Sequence, residues 1–139
     1  MCVIHNADTH AQYLQPLRAR LELEWGTIDP FEGSDVDVIV PSPLFLITEK
    51  GQLVGGLAFS SFANPNKEEA SVWINALLVE PEYRGKGYAS KLIQKAEAEA
   101  VKVGIPELFV LSEFSGLYRK QGWSVIQTSG SDSVLAKLL

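Results

Sequence analysis

The sequence predicts one α/β (α+β) domain built on a mixed sheet. Three observations carry that expectation. The chain has 139 residues, enough for a single core. Short apolar, strand-like runs alternate with two stretches of helical spacing. A long apolar run, Val72–Val79, meets Pro81 and then a glycine turn that opens a helix. Residues 1–139 are expected to form one domain, with no repeat, low-complexity tract or linker.

The elements are taken in chain order. Residues 3–5 suit a short first strand. Asp8 or Thr9 can cap a helix in which Leu14, Leu17, Leu21 and Trp25 recur at helical spacing, and Pro16 is positioned to kink or divide it. Gly26 through Pro43 reads as a loop with three prolines and four acids, Asp29, Glu32, Asp35 and Asp37. Val36, Val38 and Val40 alternate inside it, which leaves a short strand open. Leu44–Thr48 and Leu53–Phe59 read as a hairpin across Glu49-Lys50-Gly51-Gln52. A second turn, Ala63–Lys67, leads to Val72–Val79, a buried central strand. From Ala89 a stripe of Leu92, Ile93, Ala96, Ala100 and Val103 predicts a helix. Lys91, Lys95, Glu97, Glu99 and Lys102 would form its wet face, and Gly104 its end. Leu108–Leu111 is a further strand, Gly116–Gln121 a short helix stopped by Gly122. Ser124–Thr128 and Val134–Leu138 form a closing hairpin around Gly130.

Composition narrows the function. Twelve basic against seventeen acidic side chains give a net charge of −5, which argues against general nucleic-acid binding and would suit a cationic partner. No apolar run approaches the roughly 20 residues of a membrane span. The start, Met1-Cys2-Val3-Ile4-His5, lacks the regions of a secretory signal, so a cytoplasmic protein is expected. The single cysteine, Cys2, excludes an internal disulfide and a multi-cysteine zinc site, and reads as a small half-buried residue. His5 and His10 are five apart and make no metal pair on one helical face. No metal is expected.

The stretch with chemical content runs from Trp73 to Ala89. A buried strand enters a turn, Arg84-Gly85-Lys86-Gly87-Tyr88-Ala89, which opens a helix. Free backbone N–H groups and the helix dipole make such a start an anion site. Gly85 and Gly87 leave room for a diphosphate, and Arg84 and Lys86 add charge. A Walker loop would need Lys followed by Ser or Thr after its second glycine, and a dinucleotide fingerprint a third glycine; neither is present.

This segment resembles the acyl-CoA-binding motif of the GNAT acetyltransferase superfamily, Arg/Gln-x-x-Gly-x-Gly/Ala, at Arg84, Gly87 and Ala89. The lead-in Leu77-Leu78-Val79-Glu80-Pro81-Glu82-Tyr83 is similar to the family's Leu-x-Val-x-Pro-x-Tyr. Leu117-Tyr118-Arg119-Lys120-Gln121-Gly122-Trp123 resembles its Tyr-x-x-x-Gly-aromatic ending. The match covers residues 72–124; the first 43 residues agree only in element order.

The resemblance implies a mostly antiparallel sheet flanked by helices, and an acetyl-CoA-dependent N-acetyltransferase acting on a small molecule or peptide as monomer or homodimer. Coenzyme A would lie on Leu77, Leu78, Val79 and residues 84–89, in a splayed gap beside the Leu77–Val79 strand. The backbone N–H of Leu77 would face the thioester oxygen. Tyr118 matches the usual general acid, a phenol whose reference pKa near 10 is close to that of an alkyl thiol. Where many relatives carry an acid or histidine, this chain has Asn75 and Ala76. Glu113 is the best remaining carboxylate, and a water chain is the alternative, so the base stays open. Trp25, Phe31, Trp73 and Phe114 are candidate walls of the acceptor pocket, with the acids of the 26–43 loop beside it. The missing acids leave a second reading, a non-catalytic acyl-CoA sensor.

Overall fold

The computed structural model describes residues 1–25 and 39–139. The expected acids Asp29, Glu32, Asp35 and Asp37, the ring of Phe31 and the alternating Val36 and Val38 lie outside the described residues.

Seven strands form one sheet: β1 (Cys2–Asn6), β2 (Leu44–Thr48), β3 (Leu53–Ala63), β4 (Ala70–Val79), β5 (Glu107–Ser112), β6 (Ser124–Ser129) and β7 (Asp132–Leu138). Their spatial order is β1-β2-β3-β4-β5-β7-β6. Every pairing is antiparallel except β4 with β5. The parallel step needs a crossover, and α2 (Tyr88–Lys102) supplies it. The apolar stripe of α2 and Tyr118 of α3 (Ser115–Arg119) share one core cluster with Leu44, Leu57, Ile74 and Val110. On the other face, α1 (Leu14–Trp25) buries Leu17 and Leu21 against Phe45, Ala58, Ala76 and Leu78.

Gly56 of β3 makes that second packing possible, while Gly55 fits close against the β4 backbone. A Cβ on Gly56 would stand 2.6 Å from Leu17 Cδ1 and 2.7 Å from the Leu44 carbonyl oxygen, and one on Gly55 2.5 Å from the Leu78 carbonyl oxygen. Helix α1 therefore lies directly on bare backbone.

The structure corrects several expectations. Neither Asp8 nor Thr9 caps α1. Instead Asn6 Oδ1 accepts the N–H groups of Asp8 and Thr9 at 3.0 and 3.2 Å, and a 3₁₀ turn at Ala11–Tyr13 precedes the helix. Pro16 falls in the first turn of α1, where its missing N–H costs no helical bond, so it neither kinks nor divides the helix. Glu99 does not sit on a wet face: it is buried, accepts a 3.0 Å hydrogen bond from Asn6 Nδ2 and pairs with Lys102 at 3.1 Å. Val103 is exposed instead of completing the apolar stripe. Among the described residues, no helix is long and apolar enough to cross a membrane.

Candidate active site

The site starts from a defect in strand pairing. β4 and β5 pair at Val72↔Leu108, Trp73↔Phe109 and Ile74↔Val110, and there the ladder stops. Both strands continue, β5 to Ser112 and β4 to Val79. The departure coincides with an irregularity on the opposite edge of β4, where Ala58 pairs with Ala76 but Phe59 with Ile74. Asn75 is thus a one-residue bulge. A bulge bends its strand and reverses the facing of the residues beyond it. Val72 and Ile74 pack on the α2 side, whereas Ala76 and Leu78 pack on the α1 side. The apolar positions Val72, Ile74, Leu77 and Val79 carry this phase slip in the sequence, a signal the reading of one continuous strand passed over.

Beyond the bulge, one hydrogen bond sets the direction of the backbone groups. Glu80 N–H donates to the Val54 carbonyl at 2.8 Å, so Glu80 faces β3. Antiparallel pairing alternates, so Leu78 and Ala76 also face β3, while Leu77 and Val79 turn their groups toward the gap. Leu78, expected among the cofactor contacts, is therefore committed to β3 by its backbone and to the α1-side core by its side chain. Leu77 and Val79 keep the expected orientation. Arg84 Nε already donates to the Val79 carbonyl at 2.7 Å, tying the turn to the end of the strand.

The turn has the expected form. Pro81–Tyr83 is a 3₁₀ turn, and Gly85 and Gly87 have φ of +76° and +83°. A Cβ at either glycine would meet nothing within 4 Å. They are there for backbone conformation and an open approach. The first bond of α2 runs from Lys91 N–H to the Gly87 carbonyl, so the preceding N–H groups lie outside the helical ladder. Lys86 Nζ rests 5.6 Å from the Tyr83 ring centre. Tyr88 accepts a 3.2 Å hydrogen bond from the Cys2 N–H, joining β1 to the start of α2. Residues 84–89 thus make an open, basic turn with backbone N–H groups outside the helical ladder.

Between the splayed strands lies an open cleft of about 470 Å³. Asn75, Ala76 and Leu77 line one wall, and Ser112, Glu113, Phe114 and Tyr118 the other. Trp25 lies at the cleft as well, but Trp73 does not. Trp73 packs edge-on to Phe62 and 5.2 Å from Phe109, away from the cleft. Sequence reasoning missed Asp132, which also lines the cleft. In sequence it reads as a hairpin-turn acid; only the insertion of β7 beside β5 brings it here. His5 and His10 stack at 3.9 Å elsewhere, and no group of three or more metal-ligating side chains occurs among the described residues.

Tyr118 is 3% exposed, lines the cleft and has no hydrogen-bond partner for its hydroxyl among the described residues. Burial pushes its phenol above the ordinary value of 10.0, further from a thiol than the sequence expectation of near balance. Its ring meets Trp123 edge-on at 5.2 Å. Trp123 Nε1 in turn donates to Glu97 at 3.3 Å, and Lys137 Nζ holds the other Glu97 oxygen at 2.5 Å. Helix α3 is set by Ser112, whose Oγ accepts the Phe114 N–H at 2.9 Å.

The parallel strand pair opens at a bulge, a glycine turn follows at a helix start, and a buried tyrosine lies across the gap. Residues 7–123 match the Acetyltransferase (GNAT) family, and the chain belongs to that family. An uncharacterised N-acetyltransferase of Chlorobaculum tepidum is 34% identical over 83 residues, 60% of this chain and 50% of that protein. The match thus spans only half of that relative's length. The fold is shared with the GNAT family N-acetyltransferase YhbS of Escherichia coli, solved in complex with CoA (TM-score 0.68, 17% identity, 99% of this chain and 81% of that one). It is shared also with the PaiA N-acetyltransferase of Thermoplasma acidophilum, solved with coenzyme A (TM-score 0.64, 19% identity, 100% and 99%).

Proposed function

We propose that the chain transfers an acetyl group from acetyl-CoA to a primary amine of a small molecule or peptide, by direct attack. The observation that carries this reading is the unpaired edge of β4 leading into the left-handed glycine turn, with Tyr118 facing it across the cleft. Acetyl-CoA supplies the activated thioester. Residues 84–89 hold its diphosphate, and the gap-facing groups of Leu77 and Val79 hold the pantetheine arm as an added strand would. The Leu77 N–H is fixed by its strand before reaction, so it stabilises developing negative charge without reorganising. Tyr118 keeps its proton at neutral pH and delivers it to the departing sulfur.

Asn75 and Ala76 cannot take the proton of the amine. Asn75 is exposed in the cleft and can orient a water, and Glu113, the best remaining carboxylate, lines the same cleft. The open mouth lets that proton leave through solvent. An acceptor of cationic character fits Glu113 and Asp132, the two acids that line the cleft.

Two observations favour the second reading, a sensor that binds acyl-CoA without turnover. Burial raises Tyr118, and no carboxylate stands at positions 75 and 76. Free-thiol release from acetyl-CoA with a panel of amines separates the two. Thiol release that tracks amine concentration supports the enzyme. Calorimetric coenzyme A binding with no thiol release for any amine supports the sensor, and no binding at all overturns both.

A further inference from the structure

The cleft carries two carboxylates that no described residue neutralises. The β5–β7 ladder ends at Ser112↔Ser133. Glu113 follows Ser112 at the bend after β5, Asp132 precedes Ser133 at the start of β7, and both line the cleft. Two like charges that line one cleft repel each other. Among the described residues neither acid has an ion-pair partner, and no Lys, Arg or His lines the cleft. Two exposed rings share its rim, Trp25 at 48% and Phe114 at 65% exposed. Deeper in lies Tyr118, a buried residue whose hydroxyl has no partner among the described residues.

We propose that the cleft selects a small aliphatic diamine. Its distal ammonium sits between Glu113 and Asp132, while its other nitrogen reaches Leu77 and Tyr118. The proposal rests on the acetyl-transfer reading above and names its substrate class. A cation between the two acids relieves their repulsion, and the rims of Trp25 and Phe114 add cation–π attraction and cover for the methylenes. A carboxylate-bearing amine has no cation to meet and two anions to avoid. The reacting nitrogen, an ammonium in solution, sheds one proton to water before it attacks; the C–N bond forms, the C–S bond breaks, the sulfur takes the Tyr118 proton, and the second proton that the nitrogen loses as the amide forms returns through water to Tyr118.

The test compares 1,4-diaminobutane, butylamine and glutamate as acceptors at low salt, in wild type, Glu113→Gln, Asp132→Asn and the double variant. We expect kcat/KM for the diamine to exceed that for the monoamine by about tenfold, glutamate to be the poorest, and the double variant to erase the preference. Added salt should shrink it. If Glu113 is instead the base, its variant lowers diamine and monoamine rates together and leaves their ratio, which overturns the proposal. So does a wild type that treats the two amines alike. Calorimetry of the diamine on the coenzyme A-loaded protein reads the same site without turnover. Diamine binding lost in the double variant supports the proposal even where no acetyl transfer occurs. Intact coenzyme A binding without diamine binding overturns it and leaves the cofactor assignment standing.

Discussion

Arg20 on α1 grips Glu80, the residue just after β4, through two hydrogen bonds: Nε to Oε2 at 2.6 Å and Nη2 to Oε1 at 2.8 Å. The helix beside the cleft is thereby tied to the entrance of the glycine turn, and Arg20 reaches Glu24 as well at 3.1 Å. The guanidinium holds the Glu80 carboxyl below its ordinary value of 4.5. A depressed carboxylate contributes stability that is present above its unfolded pKa and lost as pH falls through its folded one.

Arg20→Gln should therefore cost about 1 kcal/mol at pH 7, a fork-to-fork pair at a partly exposed site. The difference from wild type should narrow as pH falls below the ordinary 4.5, where the unfolded chain takes up the Glu80 proton before folded wild type does. Urea unfolding at pH 7 and pH 3.5 checks both halves. An equal gap at the two pH values would assign the loss to packing of the Arg20 stem.

Gly87 is the second case. With φ at +83°, a β-branched side chain would strain the turn before any ligand arrived, so valine confuses folding with binding. Asparagine tolerates this conformation, and its Cβ meets nothing within 4 Å. Gly87→Asn should lie within about 1 kcal/mol of wild type in stability yet bind coenzyme A at least about tenfold more weakly. Calorimetry beside chemical unfolding measures both. Unchanged affinity would remove the diphosphate from this turn.

These residues also show which features are legible in the sequence. The path from Val72 to α2 is local: an apolar run, a proline, two glycines and an amphipathic stripe occupy consecutive positions, so strand, turn and helix can be read without tertiary knowledge. The cleft is different. Asp132 lies 19 positions from Glu113 in the chain and reaches it only because β7 inserts between β5 and β6. Glu99 sits at the border of the α2 stripe, where helical periodicity cannot choose, and Asn6 from distant β1 decides its burial. Trp73 and Trp25 are equally plausible pocket walls by type; the strand face assigns the first to Phe62 and Phe109.

Tyr118→Phe should leave the protein at least as stable as wild type to within about 0.5 kcal/mol, because the hydroxyl has no partner to lose among the described residues. Turnover should fall about 10²-fold or more, while coenzyme A affinity stays within a few-fold. Since burial raises the phenol, loss of its proton should place no falling limb in the wild-type kcat profile below about pH 10. Matching turnover in the two proteins, with chemistry shown to limit the rate, would end the acid role. A limb near neutrality that persists in the phenylalanine variant would belong to another group.

The last prediction concerns Asn6, which serves two partners at once. Its Oδ1 accepts the N–H groups of Asp8 and Thr9, and its Nδ2 donates to the buried Glu99 carboxylate. That donated bond is the first cause holding Glu99 below its ordinary 4.5, ahead of the ion pairs with Lys102 and Lys95. Asn6→Asp keeps the shape and both turn bonds but replaces the donor by a second carboxylate. At pH 7 two like charges then share a largely buried site, and we expect a loss of about 2–3 kcal/mol. The pH dependence should invert relative to wild type. Wild-type Glu99, with its folded pKa depressed, contributes stability that is lost as pH falls. In the variant the pair has its pKa raised, so it binds a proton more readily folded than unfolded. Lowering pH from 7 toward 5 should restore stability. Thermal unfolding at pH 7 and pH 5 decides it: the variant's Tm should rise relative to wild type on acidification. A constant Tm difference would mean that Asn6 acts through the turn it closes and not through Glu99.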